Sequence, residues 1–245
     1  MHHDGTGLWS KYALLTEGPS EGYGINGEPS GLAIHTGNGG AFKFEISLKG
    51  TPAHISRMES AIDTLGPAVD IYGALVDHEF AHEPTPRLPD LPRLVVGELL
   101  AGRGAAAVAD ETVIRGDVRS VPGMNRTEVK AEIVEIVNRV LPDDVKRRVR
   151  ITGFHQPYLG ATSGPLVDAL SEAHERILGE TARVTNELPG QAFVTDAADL
   201  VAAGLETVVY GVGEWYAAPD EWVEIDRLAG SARTYLAVAA LLGAG

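Results

Sequence analysis

Residues 41–49, AFKFEISLK, alternate apolar and polar positions, with Phe42, Phe44, Ile46 and Leu48 on one side. A period of two is that of a half-buried strand. Thr51-Pro52 then reads as an N-cap and a first helical residue. Met58, Ala61, Ile62, Leu65, Val69, Tyr72 and Val76 recur at helical spacing, which predicts one long amphipathic helix over 53–76. The run HEPTPRLPDLP (82–92) is a proline-broken loop. RLVVGELLAG (93–102) and ETVIRGDVRSV (111–121) read as strands. Thr127 opens a second helix with Val129, Ile133, Ile136, Val137 and Val140 on one face, and VKRRVRITGF (145–154) is a closing strand.

This β-α-β-β-α-β order is the ferredoxin-like, split βαβ pattern, a complete unit over 41–154. Before it, KYALLTEG suggests a short helix ending at Gly18, and GLAIHTG a short strand. After it the pattern alternates: helix 164–178, strand 182–186, helix 196–203, strand 206–211 and helix 226–243. Alternation implies a parallel sheet covered by helices. The expected architecture is α/β. Residues 1–40 and 155–245 form a catalytic-type domain, and 41–154 are a ferredoxin-like insertion. The flanks supply only three or four strands, fewer than a parallel sheet buried on both faces wants. Exposed apolar surface is therefore expected on that domain.

Composition narrows the classes. The chain has 245 residues, is 44% hydrophobic and holds no apolar run long enough to span a membrane. MHHDGTGLW lacks the basic and apolar regions of a signal peptide. Zero cysteines exclude disulfides and thiolate metal sites and fit a cytoplasmic protein. A formal net charge of −14 argues against nucleic acid or an anionic membrane as the main partner.

Several stretches carry candidate chemistry. In INGEPSG, Pro29 pushes Glu28 toward extended backbone and Gly27 allows close approach, so Glu28 is either a ligand carboxylate or a solvated turn acid. His54, at the third position of the expected helix, is either an exposed helix-start histidine or a donor. The positive end of a helix disfavours an imidazolium, and a neutral imidazole can donate to a developing oxyanion. Arg115, Asp117 and Arg119 share one strand face, where an arginine either clamps a substrate carboxylate or pairs across the sheet. Thr195-Asp196 reads as a helix N-cap. His2-His3-Asp4 reads as a frayed terminus or a weak metal site. The loop GVGEWYAAPDEWVEID (211–226) follows an apolar strand, where α/β proteins place ligands, yet it holds no histidine. The chain has no GxSxG, P-loop or GxGxxG motif.

In order, GEPSG, KGTPAHIS, DVRSVPGM, VTDA and a strand-to-loop segment ending PDEWV resemble the M20 metallopeptidases and deacylases, over nearly the whole chain. The resemblance implies a zinc-binding α/β domain carrying an inserted ferredoxin-like lid through which subunits form a homodimer. It implies hydrolysis of an amide bond in an N-acyl amino acid or small peptide. It gives Glu28 as a zinc-ligand carboxylate and His54 as the lid histidine that serves the partner subunit's site. Arg119 lies in the DVR motif as a substrate-binding residue, Asp196 supports the site from the TDA motif, and Asp4 is a possible metal ligand.

The same alignment matches this chain to the family's C-terminal part and shows departures. The HxD pair and bridging aspartate have no counterpart. His3 and Asp4 stand where paired glutamates are usual, Ala106 stands for a lid asparagine, and Ala217 for a zinc-binding histidine. Three expectations follow: a hydrolase by descent, truncated or degenerate; a non-catalytic dimerising module; or one half of a two-chain enzyme whose other half is a separate chain.

Overall fold

In the computed structural model the described residues are 12, 14, 16, 18, 19, 21–83, 85–187, 191–214 and 219–243. The chain divides into two compact units, Met1–Gly40 with Thr85–Asp90 and Gln156–Gly245, and Ala41–Pro84 with Leu91–His155. Asp4, Ala217 and most of the expected KYALLTEG helix lie outside the described residues.

The second unit is a four-stranded sheet with two helices. Its strands are β3 (Gly40–Lys49), β4 (Arg93–Ala101), β5 (Glu111–Ser120) and β6 (Lys146–His155), ordered β4-β5-β3-β6. β3 pairs antiparallel with β6, and β4 with β5. Phe42, Phe44, Ile46 and Leu48 are buried, as the alternation predicts. The helices are α1 (Leu65–Val76) and α2 (Arg126–Val140). α2 is capped by Asn125, whose Oδ1 accepts from Thr127 N at 3.0 Å and Glu128 N at 3.1 Å. It buries Val129, Ile133, Ile136 and Val137.

The long helix expected over 53–76 does not form. Thr51 and Ile62 instead bridge antiparallel, exchanging two backbone hydrogen bonds of 3.0 Å. That bridge holds 53–63 as a loop with 3-10 turns over Ile55–Ser60, kinked at Arg57. Pro52 is therefore not a first helical residue. The Asp63 carboxylate serves the start of α1, accepting from Leu65 N and Gly66 N at 3.1 and 2.8 Å. The face of α1 also differs from the expected one. Ala68, Ile71 and Leu75 are buried, while Leu65, Val69, Tyr72 and Val76 are exposed. α1 carries two apolar stripes, and periodicity cannot say which one meets the sheet.

The first unit holds β1 (Gly22–Asn26), β2 (Gly37–Asn38), β7 (Tyr158–Leu159), α3 (Pro165–Leu178), α4 (Ala197–Ala202), β8 (Leu205–Val209) and α5 (Ile225–Gly243). β1 pairs with β8 in parallel, and β2 with β7 antiparallel. The strands expected at 31–37 and 182–186 appear only as bridges, Ile34 to Val184 and His35 to Val209, besides the two residues of β2. The core joins Leu32, Ile34, Leu166, Leu170, Tyr210 and Val238. Arg87, in the proline-broken loop, belongs to this unit. Its guanidinium donates to Thr36 O, Thr36 Oγ1 and Gly160 O at 3.1, 2.6 and 2.7 Å. Among the described residues no helix is long and apolar enough to cross a membrane.

Candidate functional site

The strongest candidate is where the turn after β1 meets the loop after β8. Tyr210 N donates to Asn26 O at 2.9 Å, extending the β1–β8 pairing toward Glu28. Ser30 N and Leu32 N both donate to Gly211 O, at 3.1 and 3.0 Å, and Gly31 N donates to Gly213 O at 2.7 Å. Ser30 Oγ accepts from Gly211 N at 3.0 Å and donates to Ala33 O at 2.7 Å. Two segments distant in sequence are thereby fixed as one backbone unit. The turn contains successive residues at positive φ, Gly31 and Leu32, both at 61°. Leu32 in the left-handed region costs on the order of 1 kcal/mol, and such strain gathers at functional sites. Burial of its side chain in the core holds it there.

Glu28 is half-buried in this turn, and Gly31 lies against the Glu214 side chain, a Cβ added to it standing 3.7 Å from Oε1. Asp220 and Glu221 are exposed. Thr195 and Asp196 begin α4, and Thr195 supplies the capping contact, accepting from Ala197 N at 3.2 Å. Its hydroxyl also donates to Asn38 Oδ1 at 3.0 Å. Asp196 is half-buried and makes no side-chain cap. Among the described residues no three His, Cys, Asp or Glu side chains cluster to hold a metal ion. Carboxylates such as Glu28 and Glu214 alone do not fit a two-metal centre, which needs several ligands and a bridging group.

Behind the loop lies a buried pair that periodicity gave no sign of. His174 Nδ1 is 2.8 Å from the Tyr210 hydroxyl. Burial pushes the Tyr210 phenol up to about 12 and the His174 imidazole down. Glu180 lies 3.7 Å from His174 Nε2 and pairs with Arg227 at 2.9 Å. The Tyr235 hydroxyl donates to Tyr210 O at 2.6 Å. These contacts hold the strand end rigid beneath Gly211. His35 is also buried, against the Phe193 ring, with Nδ1 unbonded, and burial followed by the charge of Arg183 lowers its pKa to about 4.

In the second unit, His54 precedes the 3-10 helix and is exposed, so the helix-end argument for it lapses. Its Nδ1 accepts from Ser56 N at 3.2 Å and lies 3.0 Å from Ser56 Oγ. A backbone N–H can only donate, so a neutral His54 carries its proton on Nε2. Ile55 N donates to Ala106 O at 2.9 Å, which sets the Ala106 loop beside this histidine. Arg119 and Asp117 do share a face of β5 and form an ion pair, Nε to Oδ1 at 3.1 Å, although this buried Oδ1 accepts no hydrogen bond. Arg115 bonds Glu98 at 2.7 Å and Glu45 at 3.0 Å, and Arg150 also bonds Glu45. Arg115 is thus a cross-strand partner, and these two arginines hold the Glu45 carboxyl below its usual range.

The chain thus holds one ferredoxin-like unit and one α/β unit with a loop site at the end of a strand. Residues 36–145 match the M20 peptidase dimerisation domain. Among solved structures, the aminopeptidase PepT of Bacillus cereus is 18% identical with a TM-score of 0.72, covering 98% of this chain and 62% of its own. The M20 family metallo-carboxypeptidase Sso-CP2 of Sulfolobus solfataricus is 15% identical with a TM-score of 0.74, covering 97% and 67%. A dinuclear metal-binding peptidase of the M20 family from Bacillus subtilis is 18% identical with a TM-score of 0.64, covering 95% and 59%. No curated protein matches the chain. The chain resembles the M20 peptidases, and it spans about three fifths of the PepT chain.

Proposed function

We propose that this chain is the dimerising, substrate-presenting part of a metal-dependent amide-bond hydrolase of the M20 kind. Its substrate is an N-acyl amino acid or small peptide and its metal zinc. The observation that carries the reading is the outward stripe of α1 in the unit that matches a peptidase dimerisation domain. Leu65, Val69, Tyr72 and Val76 are all exposed there, 44 to 54% each. An apolar second stripe is stable in water only when covered. Beside α1, the edge strand β4 exposes Val95 and Leu100. The opposite edge, β6, carries Lys146, Arg147, Arg148 and Arg150, the charges that discourage edge pairing. A second copy is therefore expected on the α1–β4 side.

Within the proposed enzyme, His54 offers Nε2–H to a developing oxyanion in the partner's site. Arg119 takes the substrate carboxylate by exchanging Asp117 for it. Glu28 contributes one carboxylate to the metal, and Asp196 supports the loop. The remaining ligands must come from outside the described residues, so no catalytic step is assigned to the metal. The test measures zinc content and hydrolysis of an N-acetyl amino acid panel, for the chain and for Glu28→Ala. Stoichiometric zinc and turnover, both lost in Glu28→Ala, support the hydrolase. A chain with neither, alone or in any assembly, is a non-catalytic dimerising module.

A further inference from the structure

Asp117 lies between two arginines on the open face of the β4–β5 ladder. Arg119 is two residues along its own strand. The ladder pairs Val95 with Asp117 and Arg93 with Arg119, so Arg93 is the diagonal neighbour of Asp117. All three share the face away from the helices, because Ile114, Val118 and Ser120 are buried on the other. Residues two apart on a strand are separated by about 7 Å. Diagonal neighbours across a ladder are separated by about 7–8 Å, within reach of a long side chain. Asp117 therefore has two guanidinium partners at similar range.

The pair that it forms with Arg119 is unusual. The Asp117 side chain is only 16% exposed, and Oδ1 stands 3.1 Å from Arg119 Nε. Yet that oxygen is buried and accepts a hydrogen bond from no described group. Charge and proximity hold the pair without an aligned N–H. Glu45, on the same face, shows the contrast: it accepts true hydrogen bonds from Arg115 and Arg150. A buried acceptor without a donor is costly and calls for an explanation. Arg93 and Arg119 also stand directly opposite one another, where like charges are destabilising. Asp117 offsets only one of the two.

We infer that Asp117 is a movable counter-charge and that Arg93 is its second partner. In the resting protein Asp117 pairs with Arg119. When a substrate carboxylate takes the Arg119 fork, meeting it bidentately, Asp117 swings across to Arg93. Without Arg93 the exchange would leave a largely buried carboxylate unpaired, which is strongly unfavourable. Arg93 is thus a positioning residue for carboxylate recognition and touches no substrate. One carboxylate brings the three side chains to neutrality, so the substrate is recognised through a single carboxylate group. The inference rests on the reading of Arg119 as the residue that receives this carboxylate.

The full chain, in the assembly that it forms, is titrated calorimetrically with N-acetyl-leucine and with N-acetyl-leucinamide, which lacks the carboxylate. Asp117→Asn is expected to tighten N-acetyl-leucine binding, because no counter-charge has to be displaced. Arg93→Gln is expected to weaken it about tenfold with Asp117 in place and less than about twofold in the Asp117→Asn background. Arg93→Lys, which keeps the charge, is expected to restore most of the affinity. The amide is expected to bind all of these proteins equally, which also shows that each variant is folded. Equal weakening by Arg93→Gln in both backgrounds overturns the inference, since Arg93 would then be a direct contact or a structural residue. Weaker binding in Asp117→Asn overturns it too. Arg119→Gln separates this inference from the reading beneath it. If Arg119→Gln abolishes the preference for the acid while Arg93→Gln shows no dependence on Asp117, only the counter-charge fails. If the chain does not distinguish acid from amide, or Arg119→Gln changes nothing, the carboxylate role of Arg119 fails and the counter-charge with it.

Discussion

Gly211 lies against the backbone of Glu28 so closely that a Cβ on it would collide with the Glu28 carbonyl oxygen and stand 2.5 Å from that of Gly27. The loop that ends β8 and the turn that holds Glu28 cross here without a side chain between them. Gly211→Ala is expected to force the crossing apart and cost about 1–3 kcal/mol, the usual range for overpacking. A urea midpoint lowered with an unchanged slope checks it. An unaffected midpoint would mean the two segments do not meet in solution.

Tyr210→Phe removes the hydroxyl that His174 Nδ1 bonds and leaves a buried nitrogen without a partner. The expected loss is about 1–3 kcal/mol, the cost of an unsatisfied buried polar group. Replacing both partners, as Tyr210→Phe with His174→Phe, is expected to cost less than the sum of the single changes. Thermal unfolding of the four proteins in this cycle measures the coupling.

His35 gives a pH dependence whose sign is fixed. Its folded pKa is lowered from 6.5 to about 4. The unfolded chain therefore binds more protons than the folded one between those values, and stability falls as pH drops from 6.5 to 4. The shift sets an upper bound of about 3 kcal/mol. His174, also lowered, acts in the same direction. Urea unfolding at pH 7 and pH 4.5 tests this, and the slope with pH is expected to shrink in His35→Leu. A stability that rises on acidification would contradict the burial of a neutral His35.

Val69→Glu places a charge in the exposed stripe of α1, where Val69 is 54% exposed. In the chain alone it is expected to change stability by no more than about 0.5 kcal/mol, as for surface substitutions generally. In the homodimer it buries an unpaired charge, so light scattering at micromolar concentration is expected to show monomer. Lys146→Glu, on the opposite edge strand, is expected to leave the dimer intact. A dimer that tolerates Val69→Glu and fails with Lys146→Glu would put the interface on β6.

What was legible in the chain follows from which forces are local. The alternation of Phe42, Phe44, Ile46 and Leu48 names β3 and its buried face, because side-chain direction in a strand has period two whatever surrounds it. The β-α-β-β-α-β order and the resemblance to the M20 peptidases are likewise legible in sequence, since patterning and turn chemistry select the fold. α1 shows the limit. Both of its stripes are apolar, so only packing against the sheet decides that Ile71 is core and Val69 is surface.

The split of the long helix into a bridged loop and α1 depends on Thr51 meeting Ile62, a backbone pairing that no periodicity announces. The same holds at the candidate site. GEPSG and GVGE could each be marked as special turns, but only the tertiary structure binds Ser30 to Gly211 across 181 positions of sequence. Sequence determined which side chains and turns this protein has to work with. The tertiary structure decided which of them meet, because hydrogen bonds and steric contacts between distant segments form only once the core has placed the chain.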